Sequence, residues 1–232
     1  MHLVVFDIDG TLTDTCEIDQ GCYWRAIGDV FGIAADQPGW STFRHVTDSG
    51  IACESCERYL GRPANESEID AVRQRLVTLL ESALVVKNPV NYQIPGAFAV
   101  LSLLRESPDL AAALATGGFR ASAELKLRRA GLLDPSVPFA SSDDALSREQ
   151  IMRIAADRAA KKYMVEFSGF TFIGDGVWDV RAARNLGWTF IGIGAGENAE
   201  RLRRAGADTI IPDYNPIARF LSILRRSRER AT

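Results

Sequence analysis

No apolar run in the 232 residues approaches the roughly 20 positions that a membrane-crossing helix needs. Neither sign of charge is in excess. The 27 Lys and Arg against 30 Asp and Glu leave a net charge of −3, too mild to argue for nucleic acid or a membrane surface as partner. Cysteine is sparse, and Cys16, Cys22, Cys53 and Cys56 all fall in the first quarter of the chain. Only Cys53-x-x-Cys56 has a zinc-like spacing, and Cys16 and Cys22 lie six apart on one expected helix, a poor chelating pair. Reduced thiols are therefore expected rather than a zinc site or a disulfide framework. An apolar strand already starts at Leu3 and leaves no room for a removable leader, which makes a cytoplasmic location the expectation. Lysine is missing from the opening stretch, where Lys87 and Lys126 are the first two. What remains is an ordinary globular composition, 47% hydrophobic and 25% charged, ample for a real core.

Short apolar runs occur at Leu3–Phe6, Leu110–Ala115, Val137–Ala140, Phe170–Ile173, Phe190–Ile193 and Thr209–Ile211. Most alternate with stretches of helical spacing, at Phe98–Leu104, Ala121–Ala130, Glu149–Ala160 and Val180–Leu186. Runs without polar alternation, joined by helices, predict an α/β doubly wound, mostly parallel sheet covered on both faces. From Asp14 to Tyr92 no strand is expected, only helical patterns at Ile18–Phe31, Ser49–Leu60 and Glu66–Val86. That gap is far too long for a simple crossover. The expected organisation is a core from residues 1–14 and 93–232 with an all-helical domain inserted over 15–92. At the other end, Leu221, Ile223 and Leu224 within Arg219–Arg230 predict a terminal helix with a solvated basic flank.

The first strand runs Val4-Val5-Phe6 straight into Asp7-Ile8-Asp9-Gly10-Thr11. Period-2 geometry sends Asp7 and Asp9 to one side if the strand continues through them. Two carboxylates held that close repel unless a cation or a shared proton intervenes, and a hard divalent ion such as Mg2+ is the economical answer. Gly10 permits a sharp turn, and Thr11 offers a hydroxyl beside the carboxylates. The second strand ends in Thr116-Gly117-Gly118, whose hydroxyl and exposed N–H groups make a phosphate cradle at the next helix start. The fourth ends in Gly174-Asp175-Gly176-Val177-Trp178-Asp179, with the two acids one helical turn apart.

Asp-x-Asp-Gly-Thr, the later Thr116 and the Gly-Asp-x-x-x-Asp segment, in this order, resemble the haloacid dehalogenase-like hydrolases, and the overall layout resembles the phosphoglycolate phosphatase-type members. The resemblance implies a Rossmann-like core with a helical cap in the 15–92 interval. It implies Asp7 as the nucleophile that forms an aspartyl-phosphate, and Asp9 as general acid and then general base. Asp7, the Asp9 backbone carbonyl and Asp175 would hold Mg2+, Thr116 and Gly117 would bind phosphoryl oxygens, and Asp179 would support a metal-bound water or a basic residue. The family's usual lysine before the third-strand helix is missing. Arg148 is the first candidate to replace it and Lys126 the alternative. Related capped members carry a Thr-Asp on the cap loop, which makes Arg44, His45 and Thr47 candidates for contacting the leaving group, with Asp48 or Ser49 as the helix cap.

The function these features imply is a Mg2+-dependent phosphomonoesterase for a small phosphorylated metabolite, working as a monomer or homodimer without nucleic acid or membrane. A phosphomutase of the same fold and an inactive phosphate-binding protein are the alternatives. A dehalogenase of this family lacks the second aspartate, so Asp9 argues against one. A phosphonate hydrolase would use a cap lysine, and the segment up to Val86 has none.

Overall fold

The computed structural model describes residues 1–34, 38–85 and 89–229. Val86, at the expected end of a helix, Lys87 and the terminal Arg230 lie outside the described residues. Six strands form one parallel sheet: β1 (His2–Phe6), β2 (Leu110–Ala115), β3 (Phe139–Ala140), β4 (Phe170–Gly174), β5 (Thr189–Ile193) and β6 (Ile210–Ile211). Their order is β3-β2-β1-β4-β5-β6, a doubly wound arrangement that reverses beside β1. Phe6 is paired with Leu114 on one side and Ile173 on the other, so β1, β2 and β4 end level with one another. Among the described residues the helices are α1 (Cys16–Phe31), α2 (Asp48–Leu60), α3 (Glu66–Ala83), α4 (Ala97–Glu106), α5 (Arg120–Arg129), α6 (Arg148–Tyr163), α7 (Val177–Leu186), α8 (Gly196–Ala205) and α9 (Ile217–Glu229). None is long and apolar enough to cross a membrane.

Strand β1 is buried along its whole length because both of its faces are covered. Leu3 and Val5 enter a cluster with Ile151, Met152 and Ala155 of α6. Val4 and Phe6 enter the opposite one, with Val100 of α4, Leu127 of α5 and Phe220 of α9. Alanine is a weak strand former, yet β2 reads Leu-Ala-Ala-Ala-Leu-Ala. Ala111, Ala113 and Ala115 share a cluster with Ala155, Ala156 and Ala159, so small side chains on strand and helix let α6 lie close over the sheet.

Three elements differ from the sequence expectations. Strand β3 begins at Phe139 rather than Val137, because the Val137 N–H is spent in a turn to the Asp134 carbonyl and Pro138 has no N–H for the ladder. Helix α8 lies outside the expected helical stretches, because it is strongly polar and Leu202 is its one fully buried residue. The cap of α2 is Thr47, whose Oγ1 accepts from the Gly50 N–H at 3.2 Å, and not Asp48 or Ser49.

Between β1 and α4 the described residues are helical or irregular. Helices α1, α2 and α3 enclose a third cluster that includes Tyr23, Ile27, Ile51, Val72, Leu76 and Leu80, and Phe119 from the start of α5 plugs into it. The chain enters and leaves this insert side by side, with Asp14 N donating to Tyr92 O and Ile94 N to Leu12 O, both at 3.0 Å. The first turn of α2 is seated on the loops that follow β2 and β3. Asp48 N donates to Gly117 O at 2.7 Å, Phe119 N to Asp48 Oδ2 at 2.8 Å, and Ser49 Oγ to Ser142 O at 2.9 Å. The insert thus roofs the carboxyl ends of β1, β2 and β4.

Candidate active site

Under that roof lies a cavity of about 240 Å³. Its floor is the set of residues that follow the strand ends: Asp7 and Asp9 after β1, Thr116 and Gly117 after β2, and Asp175 after β4. The crevice outside the carboxyl ends of a doubly wound sheet, next to its reversal point, is where such folds bind ligands. Backbone compactness brings these groups together. Gly10 has φ +69°, and a Cβ there would collide with the Asp175 carboxylate. A Cβ on Gly117 would sit 2.7 Å from the Arg148 guanidinium and 2.9 Å from Val46 O.

Carboxylate oxygens of Asp7, Asp175 and Asp179 lie within 4.8 Å of one another. Burial raises the Asp7 carboxyl above its usual range, against the pull of Arg148 and with Asp9 adding to the rise. Burial, then Asp7 and Asp179, raise Asp175 further, and burial pushes Asp179 up to about 7 although Arg148 opposes it. Arg148 answers part of this charge. From the first residue of α6, its Nη1 is 2.8 Å from Asp179 Oδ1 and 3.2 Å from Asp7 Oδ1, while its Nε donates to Val46 O of the insert. The other Asp179 oxygen accepts from the Gly176 N–H at 3.0 Å, so this acid both caps α7 and aims the guanidinium. Three carboxylates against one guanidinium leave the cluster two positive charges short of balance when ionised. An all-oxygen donor set with that deficit fits a hard divalent cation such as Mg2+.

A second cation lies on the other side of the motif. Lys126 Nζ of α5 is 2.5 Å from Asp9 Oδ2 and 2.6 Å from Asp19 Oδ1 of α1, with its side chain fully enclosed. It therefore does not reach Asp7, and of the two candidate cations only Arg148 lines the cavity and meets that carboxylate. Thr116 is buried, lines the cavity and uses its Oγ1 to accept from the Gly118 N–H at 3.1 Å.

The candidates on the insert fare differently. Thr47 lines the cavity, but its hydroxyl is committed, accepting from Gly50 and donating to Leu146 O at 2.8 Å. Arg44 and His45 are not brought to the cavity. The chain turns into α2 at Thr47, which leaves Arg44 exposed with its N–H bound to Glu54 at 2.9 Å, and packs the His45 backbone and Cβ against Gly50. Sequence reasoning missed Asp19 and Gln20 on α1, Trp40, Trp178, and Asn198 and Arg201 on α8, all of which line the cavity. The signal for Asp19 was an acid in the first turn after the motif; α8 offered none.

Comparison with known proteins agrees with this architecture. The sequence profile of the haloacid dehalogenase-like hydrolases matches residues 1–187. No curated protein matches the sequence. Among solved structures, a hydrolase from Pseudomonas syringae is 23% identical with a TM-score of 0.72, covering 97% of this chain and 99% of that one. A candidate β-phosphoglucomutase from Bacteroides vulgatus is 20% identical with a TM-score of 0.68, over 98% and 90%. CbbY from Rhodobacter sphaeroides in complex with phosphate is 20% identical with a TM-score of 0.62, over 93% and 95%. With a profile match over most of its length and the motif residues gathered at one sheet edge, the chain belongs to the haloacid dehalogenase-like hydrolases.

Proposed function

We propose that this hydrolase is a Mg2+-dependent phosphatase for a small phosphorylated metabolite, with residues 15–92 acting as its cap domain. The observation that carries the reading is the buried Asp7 carboxylate, facing Arg148 on one side and the Asp175–Asp179 pair on the other at the carboxyl edge of the sheet. A carboxylate so placed can attack phosphorus while neighbouring donors hold the phosphoryl oxygens. Asp7 Oδ forms the bond to phosphorus as the bond to the ester oxygen breaks, giving an aspartyl-phosphate. Asp9 gives its proton to the departing alkoxide and then takes one from the water that releases phosphate. Arg148, the Thr116 hydroxyl and the Gly117 N–H are the donors for the equatorial oxygens. Asp7, Asp175 and the Asp9 carbonyl would hold Mg2+, which when bound offsets the charge of phosphate and carboxylates together.

The cavity volume, below the range typical of drug-sized ligands, favours a small ester. The CbbY structure with bound phosphate and the candidate phosphoglucomutase are compatible with phosphoryl chemistry in this fold. Hydrolysis of p-nitrophenyl phosphate with Mg2+ and with EDTA tests the reading. Release of p-nitrophenol that EDTA abolishes, and that Asp7→Asn lowers by at least about a thousandfold with the fold retained, is the expected result. Turnover persisting in the Asp7→Asn protein would refute the nucleophile, and with a sugar phosphate as substrate an isomeric sugar phosphate in place of free phosphate would point to a mutase.

A further inference from the structure

Lys126 has no part in binding phosphate in the reading above, yet it is held more tightly than any cation at the cavity. Its side chain is fully enclosed, it does not line the cavity, and both of its acidic partners do. Any influence it has on a substrate therefore passes through Asp9 or Asp19. Asp9 is gripped on both oxygens from behind the cavity wall. Oδ2 faces Lys126 at 2.5 Å and Oδ1 accepts from Thr15 Oγ1 at 2.6 Å. Thr15 is in turn bound to Thr13 Oγ1 at 2.7 Å, which donates to the Ile8 carbonyl at 3.2 Å. Two fixed partners define the plane of the carboxylate and leave a lone pair on each oxygen for the cavity. The partners come from different bodies of the fold, since Lys126 is on α5 of the core whereas Thr15 and Asp19 belong to the entry of the insert. Lys126 reaches Asp9 from the core, and Asp19 holds its Nζ from the other side.

We propose that Lys126 is a positioning residue for proton transfer at Asp9, anchored by Asp19, so that the proton-transfer carboxylate is aligned only while the Lys126–Asp19 pair between α5 and α1 is closed. The proposal rests on the reading of Asp9 as the proton donor to the leaving group. A misaligned donor slows expulsion of a leaving group that needs a proton and spares one that does not. p-Nitrophenyl phosphate and phenyl phosphate have nearly the same shape and differ in that need, because p-nitrophenolate departs unprotonated far more readily than phenolate.

The test is first-turnover release of the leaving group from both esters, with Mg2+, by the wild type, Lys126→Met, Asp19→Asn and the double variant. The double variant removes both charges of the Lys126–Asp19 pair together and keeps the comparison open if Lys126→Met alone does not fold. The expected result is a loss on phenyl phosphate at least about tenfold larger than the loss on p-nitrophenyl phosphate, with KM for the two esters little changed. Asp19→Asn shows the same bias, weaker. Equal losses on the two esters, or none on either, by variants that fold overturn the proposal and leave the phosphatase reading intact. A wild type that cleaves neither ester overturns both.

Discussion

Each of the two aspartates after β1 is met by one cation, and each cation is shared with a second acid on a helix, yet the two arrangements differ in exposure. Arg148 spans Asp7 and Asp179 with 13% of its side chain open to the cavity, whereas Lys126 spans Asp9 and Asp19 with none. On the Arg148 side the acid that is anchored, Asp179, is fully enclosed, and the acid presented to the cavity is the proposed nucleophile. On the Lys126 side the cation is buried and both acids look into the cavity. A guanidinium has donors to spare, so Arg148 can hold its acids and still serve a phosphoryl oxygen. An ammonium engaged by two carboxylates and sealed from solvent can only hold. On the proposed reading, the charge for substrate and the charge for alignment come from different residues on opposite sides of Asp7-x-Asp9.

Breaking the enclosed side should have the larger effect on stability. Lys126→Met leaves two carboxylates facing an apolar side chain, and removing one partner of a buried pair costs about 3–5 kcal/mol. Chemical denaturation should register that loss, and a midpoint equal to wild type would mean that water already reaches this pair. Breaking the open side should cost turnover. Arg148→Ala is expected to lower kcat by roughly 10²–10³, and because it leaves the enclosed Asp179 without its cation it should cost some stability as well. Arg148→Lys should recover part of the rate, because one ammonium can meet the two acids that Nη1 bridges, but it has no second nitrogen for the Nε contact to Val46 O. Steady-state kinetics beside a melting curve for all three variants separates the two sides; similar effects on both quantities for both cations would erase the distinction.

How much of this was legible before coordinates depends on how local the signal is. Asp7, Asp9, Thr116 and Asp175 could be read because each directly follows an apolar strand, and a strand end is where a parallel sheet presents chemistry. Arg148 is reached through the family resemblance, which expects a cation before the third-strand helix to face the nucleophile; spacing alone does not pair it with an acid 141 positions earlier. The Lys126–Asp19 contact joins positions 107 apart on two helices brought together by the packing of Phe119 and Leu125 into the insert cluster. Arg44 and His45 were over-read, since a polar loop before a helix looks the same whether it faces a cavity or solvent. Asn198 and Arg201 go unread with α8, a polar helix with one fully buried leucine that resembles a solvated loop in sequence.

The smallest expected effect tests whether the acid-rich end of β1 is as short of positive charge as the count suggests, by setting it against the strand's other end. Asp179 has its carboxyl raised by burial to about 7, Asp19 to about 6 for the same cause, and Asp7 and Asp175 are raised as well. A raised acid contributes stability that is full below the ordinary carboxylate value and fades as pH climbs through the raised one. Metal-free protein should therefore gain stability from these groups as pH falls from about 7 towards 4. His2 works against this. It is buried, bound to Thr171 Oγ1 at 2.8 Å, and lowered by burial, Arg228 and the N-terminus to about 4, so its contribution is full above 6.5 and fades as pH falls to about 4. Over one window the two ends of β1 pull in opposite directions, and with four raised carboxyls against one lowered imidazole the wild-type melting temperature in EDTA should rise slightly on acidification. His2→Gln removes one side of that opposition without touching the cavity, so its melting temperature should rise by a few degrees on acidification. Added Mg2+ should flatten that rise, because it stabilises the ionised cluster more at pH 8 than at pH 5. A His2→Gln profile that falls with acid would mean that the carboxylates around Asp7 are already balanced without a metal.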